Sequence, residues 1–249
     1  MKIEKRRADQ ILVERGLVES RTKAQALIMA GKVFAEDGRV DKPGMRLRTN
    51  ALLRVSAQDH PWVGRGGLKL AHALEVFRLD PKDCICLDVG ASTGGFTDVL
   101  LTNGAARVFA VDVGRGQLAW KLQTNDRVII MDKTNARYLT RGDIPDGIDL
   151  IVCDASFISL KTILPAPLAL AKVGTRLVAL IKPQFEVGRE RIGKGGIVSS
   201  PQLHDEVCQG IKSWLGQLRG WQVLGISESP IKGAEGNKEF FVCAQLLTN

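Results

Sequence analysis

A glycine cluster and a recurring acid are the residues in this chain best placed to do chemistry. In CICLDVGASTGGFTD (Cys84–Asp98) an apolar run, Ile85, Leu87 and Val89, breaks at Gly90, and Gly90, Gly94 and Gly95 fall close together around Ala91, Ser92 and Thr93. Later apolar runs each close on an acid: RVFAVD on Asp112, RVIIMD on Asp132 and IDLIVCD on Asp154. Glycine is needed where the backbone takes φ > 0 or must let a ligand lie against it. The helix start beyond the turn offers free N–H groups to an acceptor. Strand, glycine turn and helix together form the opening unit of a nucleotide-binding α/β sheet. The spacing GxxxGG differs from the GxGxxG of a dinucleotide site, and no cation lies between Asp88 and Asp98 to meet a phosphate. The chemistry indicated is the binding of a non-phosphorylated cofactor.

Those residues need a sheet to hold them. Strand-like runs at 84–89, 107–112, 127–131, 148–153 and 175–182 alternate with helical stretches, which predicts a parallel sheet covered on both faces. GRGGLKLAHALEVF predicts a helix before the first of these strands, with Leu68, Ala71 and Leu74 facing inward. The end of the chain differs: after a helix near Gln202–Gln217 come WQVLGIS and EFFVCAQLL, two consecutive strands that predict an antiparallel edge pair. The expected fold class is α/β, a Rossmann-like, mostly parallel sheet whose last strand is antiparallel, preceded by a small α+β module.

In that module Ala8, Ile11 and Leu12 recur at helical spacing up to Gly16, and Ser20 caps a second helix over RTKAQALIMA that stops at Gly31. KVFAEDGRV predicts a hairpin around Asp37-Gly38. DHPWVG places a linker at 59–64, so the domains expected are 1–58 and 65–249. Trp62 in the linker either packs between domains or stacks on a base.

The net charge of +8 favours a polyanionic partner, and residues 1–60 carry +5 of it. Five cysteines without a CxxC pair point to buried reduced thiols, and three scattered histidines give no metal-ligand spacing. MKIEKRRADQ does not have the form of a signal peptide, and the apolar region Ile163–Ile181 is interrupted by charges and prolines, so no membrane span is expected. A cytoplasmic location follows as the expectation.

RADQILVERGLVESRTKAQALIMAGKVFAEDG resembles an S4 domain, a small module that binds structured RNA by shape and backbone charge. The resemblance implies RNA contacts from Arg6, Arg7, Arg21, Lys23 and Lys32, with the last three clustering where the second helix meets the hairpin. Arg65 and the basic run holding Arg189, Arg191 and Lys194 extend this set, the latter as a lid over the RNA or a plain surface loop. DVGASTGGF followed by VDV resembles the S-adenosylmethionine-dependent methyltransferases, whose sheets carry an antiparallel final pair. That likeness puts S-adenosyl-L-methionine on the turn Gly90–Gly95, with Asp112 accepting both ribose hydroxyls. Asp132 either contacts the adenine amine or caps the next helix.

Position by position the chain is also similar to the FtsJ/RrmJ-type ribose 2′-O-methyltransferases, and the likeness implies a catalytic set of Lys69, Asp154, Lys182 and Glu239. Lys182 is the candidate base for a 2′-OH; nearby Lys69 and a sulfonium favour its neutral form, whereas Asp154 and Glu239 oppose it. S4-like module and FtsJ-like domain together resemble the TlyA family, which implies cytidine 2′-O-methylation of 16S and/or 23S rRNA, as RNA or within ribosomal subunits. Some members carry the name haemolysin, so a membrane-active protein is the rival reading. Another rival is a base N-methyltransferase, but Asp154-Ala155-Ser156-Phe157 lacks the prolines of that motif. GRERIGK (188–194) fits the start of a phosphate-binding P-loop, yet Gly195 stands where Ser or Thr is required. Phe96 is expected to pack behind the glycine turn.

Overall fold

The computed structural model describes residues 4–29, 31–36, 38–55, 60–233 and 235–248. The chain forms two compact units, Met1–Pro61 and Trp62–Asn249. The smaller contains β1 (Lys5–Arg7), α1 (Ala8–Glu14), α2 (Arg21–Met29), β2 (Val33–Ala35), β3 (Gly38–Arg39), β4 (Arg46–Arg48) and β5 (Leu53–Val55). β1 pairs with β4, and β2 lies between β3 and β5. Ala8, Ile11 and Leu12 of α1 meet Ala24 and Ile28 of α2 over Val33, Leu47 and Leu53 to make the core. Gly16 takes φ +67°, ending α1, and the Ser20 hydroxyl accepts the Lys23 N–H at 3.2 Å at the start of α2. β2 and β3 pair antiparallel from Ala35 opposite Gly38; Asp37 of the expected hairpin lies outside the described residues, as do 56–58 of the first expected domain and 59 of the linker.

A buried carboxylate ties this unit together. Asp9 is fully buried and accepts from Arg7 Nε at 2.9 Å, Arg21 at 3.2 Å and Gln25 Nε2 at 3.0 Å. The Arg7 guanidinium, with Gln25 and Arg21, holds its carboxyl well below the usual carboxylate range against the opposing effect of burial. A depressed folded value means that Asp9 contributes its full stability above an unfolded pKa of about 3.9 and loses it as pH falls through the folded one. Asp9→Asn, which has one acceptor oxygen instead of two, is expected to lower the unit's stability by about 1–3 kcal/mol at neutral pH and by little at strongly acid pH. Urea melts at a series of pH values from 7 down to 2 check it, with the cost shrinking progressively once pH passes below about 4.

The larger unit carries α3 (Gly66–Val76), β6 (Ile85–Val89), α4 (Gly95–Thr102), β7 (Arg107–Val111), α5 (Trp120–Gln123), β8 (Val128–Met131), β9 (Ile148–Cys153), α6 (Leu160–Ile163), α7 (Pro165–Leu168), β10 (Ala171–Ile181), α8 (Pro183–Glu186), α9 (Pro201–Gln217), β11 (Trp221–Glu228) and β12 (Phe240–Leu246). The sheet order is β11-β12-β10-β9-β6-β7-β8. Strand residues alternate between two cores, as a period of two demands. Leu87, Val89, Ile151 and Cys153 face Leu160, Leu164, Val207 and Ile211. Cys86, Val108, Leu150 and Val152 face Leu70, Val99, Leu100 and Leu122. The parallel sheet and the antiparallel final strand are as expected. β12, however, inserts between β10 and β11 and runs antiparallel to both, so β11 forms the edge and runs with the rest.

Trp62 and Val63, expected in the linker, pack into this unit. A Cβ on Gly67 would lie 2.2 Å from the Trp62 side chain, so the indole occupies space that only glycine leaves. The Val63 N–H donates to Asp98 Oδ2 at 2.8 Å. Cys86, Cys153, Cys208 and Cys243 are buried free thiols, whereas Cys84 is half-buried. Burial pushes the Cys153 thiol up to about 12.

Candidate active site

The order of strands reverses between β6 and β9, and the crevice beyond their carboxyl ends is where an open α/β sheet binds its ligand. Gly90 follows β6 and Asp154 follows β9, and the Asp154 N–H donates to the Val89 carbonyl at 3.0 Å. Gly90 takes φ +85°, and a Cβ there would lie 3.0 Å from the Asp154 carbonyl oxygen. Backbone at that distance cannot yield, so the turn reaches its neighbour only as glycine. Gly95 does the same on the other side: its Cβ would stand 2.9 Å from the Gly67 nitrogen, which is how α3 comes down onto the glycine turn.

Two adjoining cavities occupy the crevice. The larger, about 430 Å³, is lined by Val111, Asp112, Gln117, Asn135, Ala136 and Phe157 among others. The smaller, about 190 Å³, runs under the turn from Ala91, Ser92 and Thr93 to Gly66, Phe96 and Lys182. Gly90, Ser92, Asp154 and Ser156 line both. Asp112 Oδ2 accepts the Ser92 N–H at 2.8 Å and Oδ1 the Gly114 N–H at 2.7 Å. Each oxygen keeps further lone-pair capacity for a ligand hydroxyl. Asp112 and Asp154 are the charged side chains of the larger cavity's lining. An acidic, half-apolar wall of that kind fits an uncharged nucleoside bearing a cationic group and repels a phosphate.

Four charged side chains form a chain of alternating sign at the end of the smaller cavity. Glu239 Oε2 lies 2.7 Å from Lys69 Nζ, Lys69 Nζ lies 3.6 Å from Asp154 Oδ2, and Asp154 Oδ1 lies 2.6 Å from Lys182 Nζ. Lys182 Nζ also donates to Ser156 Oγ at 2.8 Å. Each member comes from a different element. Lys69 is on α3, Asp154 follows β9 and Lys182 follows β10, while Glu239 precedes β12. The antiparallel register sets Ile181 opposite Phe240, so Lys182 and Glu239 emerge from the same end of the sheet. Lys69, Lys182 and Glu239 are all buried, and burying charges is tolerable only when each has its counter-charge. Lys69 has a carboxylate on either side. Lys182 has one carboxylate and a hydroxyl, and it is the lysine that lines the cavity. Behind the turn Asp88 is fully buried. Its Oδ2 accepts the Thr97 hydroxyl at 2.7 Å, and burial pushes its carboxyl up to about 7.

The FtsJ-like methyltransferase family matches residues 62–246, and the S4 domain matches residues 6–53. The 16S/23S rRNA (cytidine-2′-O)-methyltransferase TlyA of Mycobacterium tuberculosis is 46% identical over 244 residues, 98% of this chain and 91% of that protein. The chain belongs to the TlyA family of FtsJ-like methyltransferases. The name Hemolysin A also occurs among its TlyA-family relatives, on a Brachyspira hyodysenteriae protein 38% identical over 94% of this chain and 97% of its own length. A solved structure from Streptococcus thermophilus that carries the hemolysin name superposes with a TM-score of 0.76 at 43% identity, covering 99% of this chain and 90% of that one.

Not every residue singled out in this TlyA-family sequence lines these two cavities. Gly94 lines neither cavity; a Cβ on it would lie 2.2 Å from Leu122 Cδ1, so it makes room for a core leucine. Asp132 is likewise outside both linings, and its Oδ2 accepts the Gly116 N–H at 2.7 Å. The cap of the following 3-10 turn is Asn135. Phe96 packs on Phe241 at 6.4 Å between ring centroids, and also lines the smaller cavity.

The basic residues are mostly paired within the molecule. Arg6 is bound to Glu4 and Glu14, Arg7 and Arg21 to Asp9, Lys23 to Glu19 and Arg191 to Glu206. Arg65 donates to the Lys232 carbonyl at 3.1 Å. Arg21 and Lys23 begin α2 whereas Lys32 follows it, a separation of about 15 Å at helical rise, so these three do not cluster. Arg189, Arg191 and Lys194 lie in two 3-10 turns, Arg189–Arg191 and Lys194–Gly196, which is not the strand-turn-helix frame of a P-loop.

Sequence reasoning missed Ser156, Phe157, Gln117 and Asn135 in the crevice. Phe157 takes φ +64° and stays 85% exposed at the cavity wall, its ring 5.0 Å from that of Phe185. DASF held the signal for the first two, but only as a motif that failed to match another.

Proposed function

We propose that the chain transfers the methyl group of S-adenosyl-L-methionine to a ribose 2′-hydroxyl of cytidine in 16S and/or 23S rRNA, in the compartment where ribosomes are made. The observation that carries this is the chain Glu239–Lys69–Asp154–Lys182, whose last amine opens into the cavity beneath the glycine turn. S-adenosylmethionine, when bound, supplies a sulfonium methyl that a hydroxyl can attack once it sheds its proton. Gly90, Ser92 and Asp112 would hold its nucleoside, with Asp112 accepting the ribose hydroxyls on lone pairs left over from Ser92 and Gly114. Lys182 takes the proton of the attacking 2′-hydroxyl, while Asp154 and Ser156 fix the direction of its amine. Glu239 and Asp154 fix Lys69 in turn. The exposed ring of Phe157 offers an apolar face to a nucleobase at the cavity mouth.

Mass mapping of ribose methylation in rRNA tests the reading directly. Cells lacking the protein should lose one or more 2′-O-methylcytidines that return with the wild-type gene and not with Lys182→Ala. An unchanged methylation map would refute it. The membrane-active alternative has only relatives' names in its favour, and no described helix is long and apolar enough to cross a membrane. Dye release from liposomes by the purified protein would support it instead.

A further inference from the structure

The parallel pairing of β9 with β10 ends at Cys153 opposite Ala179, short of every site residue that these two strands deliver. Beyond it Asp154, Ser156 and Phe157 follow one strand, while Lys182 and Phe185 follow the other. Farther out, Glu186 bridges the two segments. Its Oε1 accepts the Leu160 N–H at 2.7 Å and its Oε2 accepts the Ser159 hydroxyl at 2.7 Å. Both oxygens of one carboxylate therefore reach from the Lys182 segment to the Asp154 segment. The arm that carries this carboxylate is stiff. Lys182 leads directly into α8, Pro183 fixes its first residue, and the Phe185 N–H closes on the Lys182 carbonyl at 2.9 Å. Lys182 and Glu186 are thus the two ends of a single turn, one at the cavity and one at the clasp.

A carboxylate facing the start of α6 is also what a simple helix cap requires, and two observations set Glu186 apart from one. Ser159 already caps α6 through its own oxygen, which accepts the Lys161 N–H at 3.2 Å. The segment being fastened is also strained. Phe157, two residues before Ser159, takes φ +64°, a conformation that a bulky side chain keeps only where its surroundings over-determine it. Glu186 is half-buried, and burial raises its carboxyl above the usual glutamate value against the pull of its two hydrogen bonds. We propose that Glu186 is a positioning residue for methyl transfer, clasping Ser159 and Leu160 so that Asp154, Ser156 and the Phe157 ring stay in register with Lys182. It lies outside both cavity linings, so it acts through those residues and not on the reacting atoms. The proposal rests on the ribose-methylation reading above and adds what keeps the base aimed.

The test measures single-turnover methyl transfer by the full chain, with ribosomal subunits and deproteinised rRNA from cells lacking the protein as acceptors. Calorimetric S-adenosylmethionine binding and thermal midpoints are recorded on the same preparations, and rates are taken well below those midpoints. Glu186→Ala should slow transfer by about 10²-fold, the scale of a misplaced reacting group. Cofactor affinity should stay near that of wild type, because the Ser92 and Gly114 bonds to Asp112 are untouched. Glu186→Gln should recover most of the rate, since its oxygen still accepts the Leu160 N–H and its NH₂ donates to the Ser159 oxygen. Ser159→Ala should slow transfer less than Glu186→Ala and add little to it in the double variant, because the two share one clasp. Should Glu186→Ala fail to fold, Glu186→Asp, too short to meet both groups, takes its place. A wild-type rate in Glu186→Ala would overturn the proposal. So would a Glu186→Gln no faster than Glu186→Ala, losses that simply add, or a rate that falls only in step with cofactor affinity, since that marks a structural role. If the wild-type chain methylates neither acceptor, it is the underlying ribose-methylation reading that is lost.

Discussion

Replacing Lys182 with arginine should lower single-turnover methyl transfer by about 10³-fold or more, with S-adenosylmethionine binding retained. The expectation follows from the directions available to the amine. Lys182 Nζ has Asp154 Oδ1 at 2.6 Å and Ser156 Oγ at 2.8 Å. Those two groups occupy two sides of the amine, and the cavity beneath the turn, which Lys182 lines, is the side open to a substrate hydroxyl. Arginine places a permanent positive charge beside Asp154 and does not give up its proton at any accessible pH, so it can donate and never accept. The variant therefore separates a base from a charge. Lys182→Ala should be equally inactive, and in it Asp154 keeps Lys69 at 3.6 Å as a counter-charge, so the buried acid is not left alone. Measurement of labelled methyl incorporation alongside calorimetric cofactor binding decides the matter. Full activity in Lys182→Arg would remove the base role and leave Lys182 as an electrostatic group.

What local pattern reveals here is the sheet, and what it hides is partnership. Continuous apolar runs ending in glycine or acid identify β6, β7 and β9, because strands buried on both faces must be apolar throughout. The rank of β12 is different. WQVLGIS and EFFVCAQLL can pair in either order at the edge, and only the packing of both against β10 puts the later strand inside. The four charged residues at the site lie as far apart as Lys69 and Glu239, and no periodicity connects them; they became visible through likeness to a family. Asp132 and Gly94 satisfy the motif by position, yet one serves a turn and the other a leucine. Cations are legible in sign alone. Arg21 reads as free charge in the sequence, whereas the fold sets it on Asp9 across α1. Phe157 depends on a backbone angle that no alternation of residue types reports.

The second large effect should come from Asp112, and its conservative variant should be almost as damaging as truncation. Both carboxylate oxygens are already engaged by backbone donors, Oδ2 by the Ser92 N–H and Oδ1 by the Gly114 N–H. These two bonds fasten the glycine turn to the loop after β7 and so shape the wall of the larger cavity. Asparagine has a single acceptor oxygen, and its NH₂ would face one of those N–H groups, donor against donor. A donor left unmet in a partly enclosed site costs about 1–3 kcal/mol, which corresponds to about a tenfold to hundredfold loss of affinity. Asp112→Asn should therefore weaken S-adenosylmethionine binding by that range, and Asp112→Ala by at least as much, since it also removes the acceptor for the ribose hydroxyls. Binding of rRNA should be untouched in both, because among the described residues the Asp112 carboxylate is engaged only by the glycine turn and the loop after β7. Calorimetry with the cofactor and salt-dependent rRNA binding on the same preparations measure the two quantities separately. If Asp112→Asn binds the cofactor like wild type, the carboxylate's two backbone bonds are not what shapes the site, and the nucleoside must be held from the Asn135 side of the cleft instead.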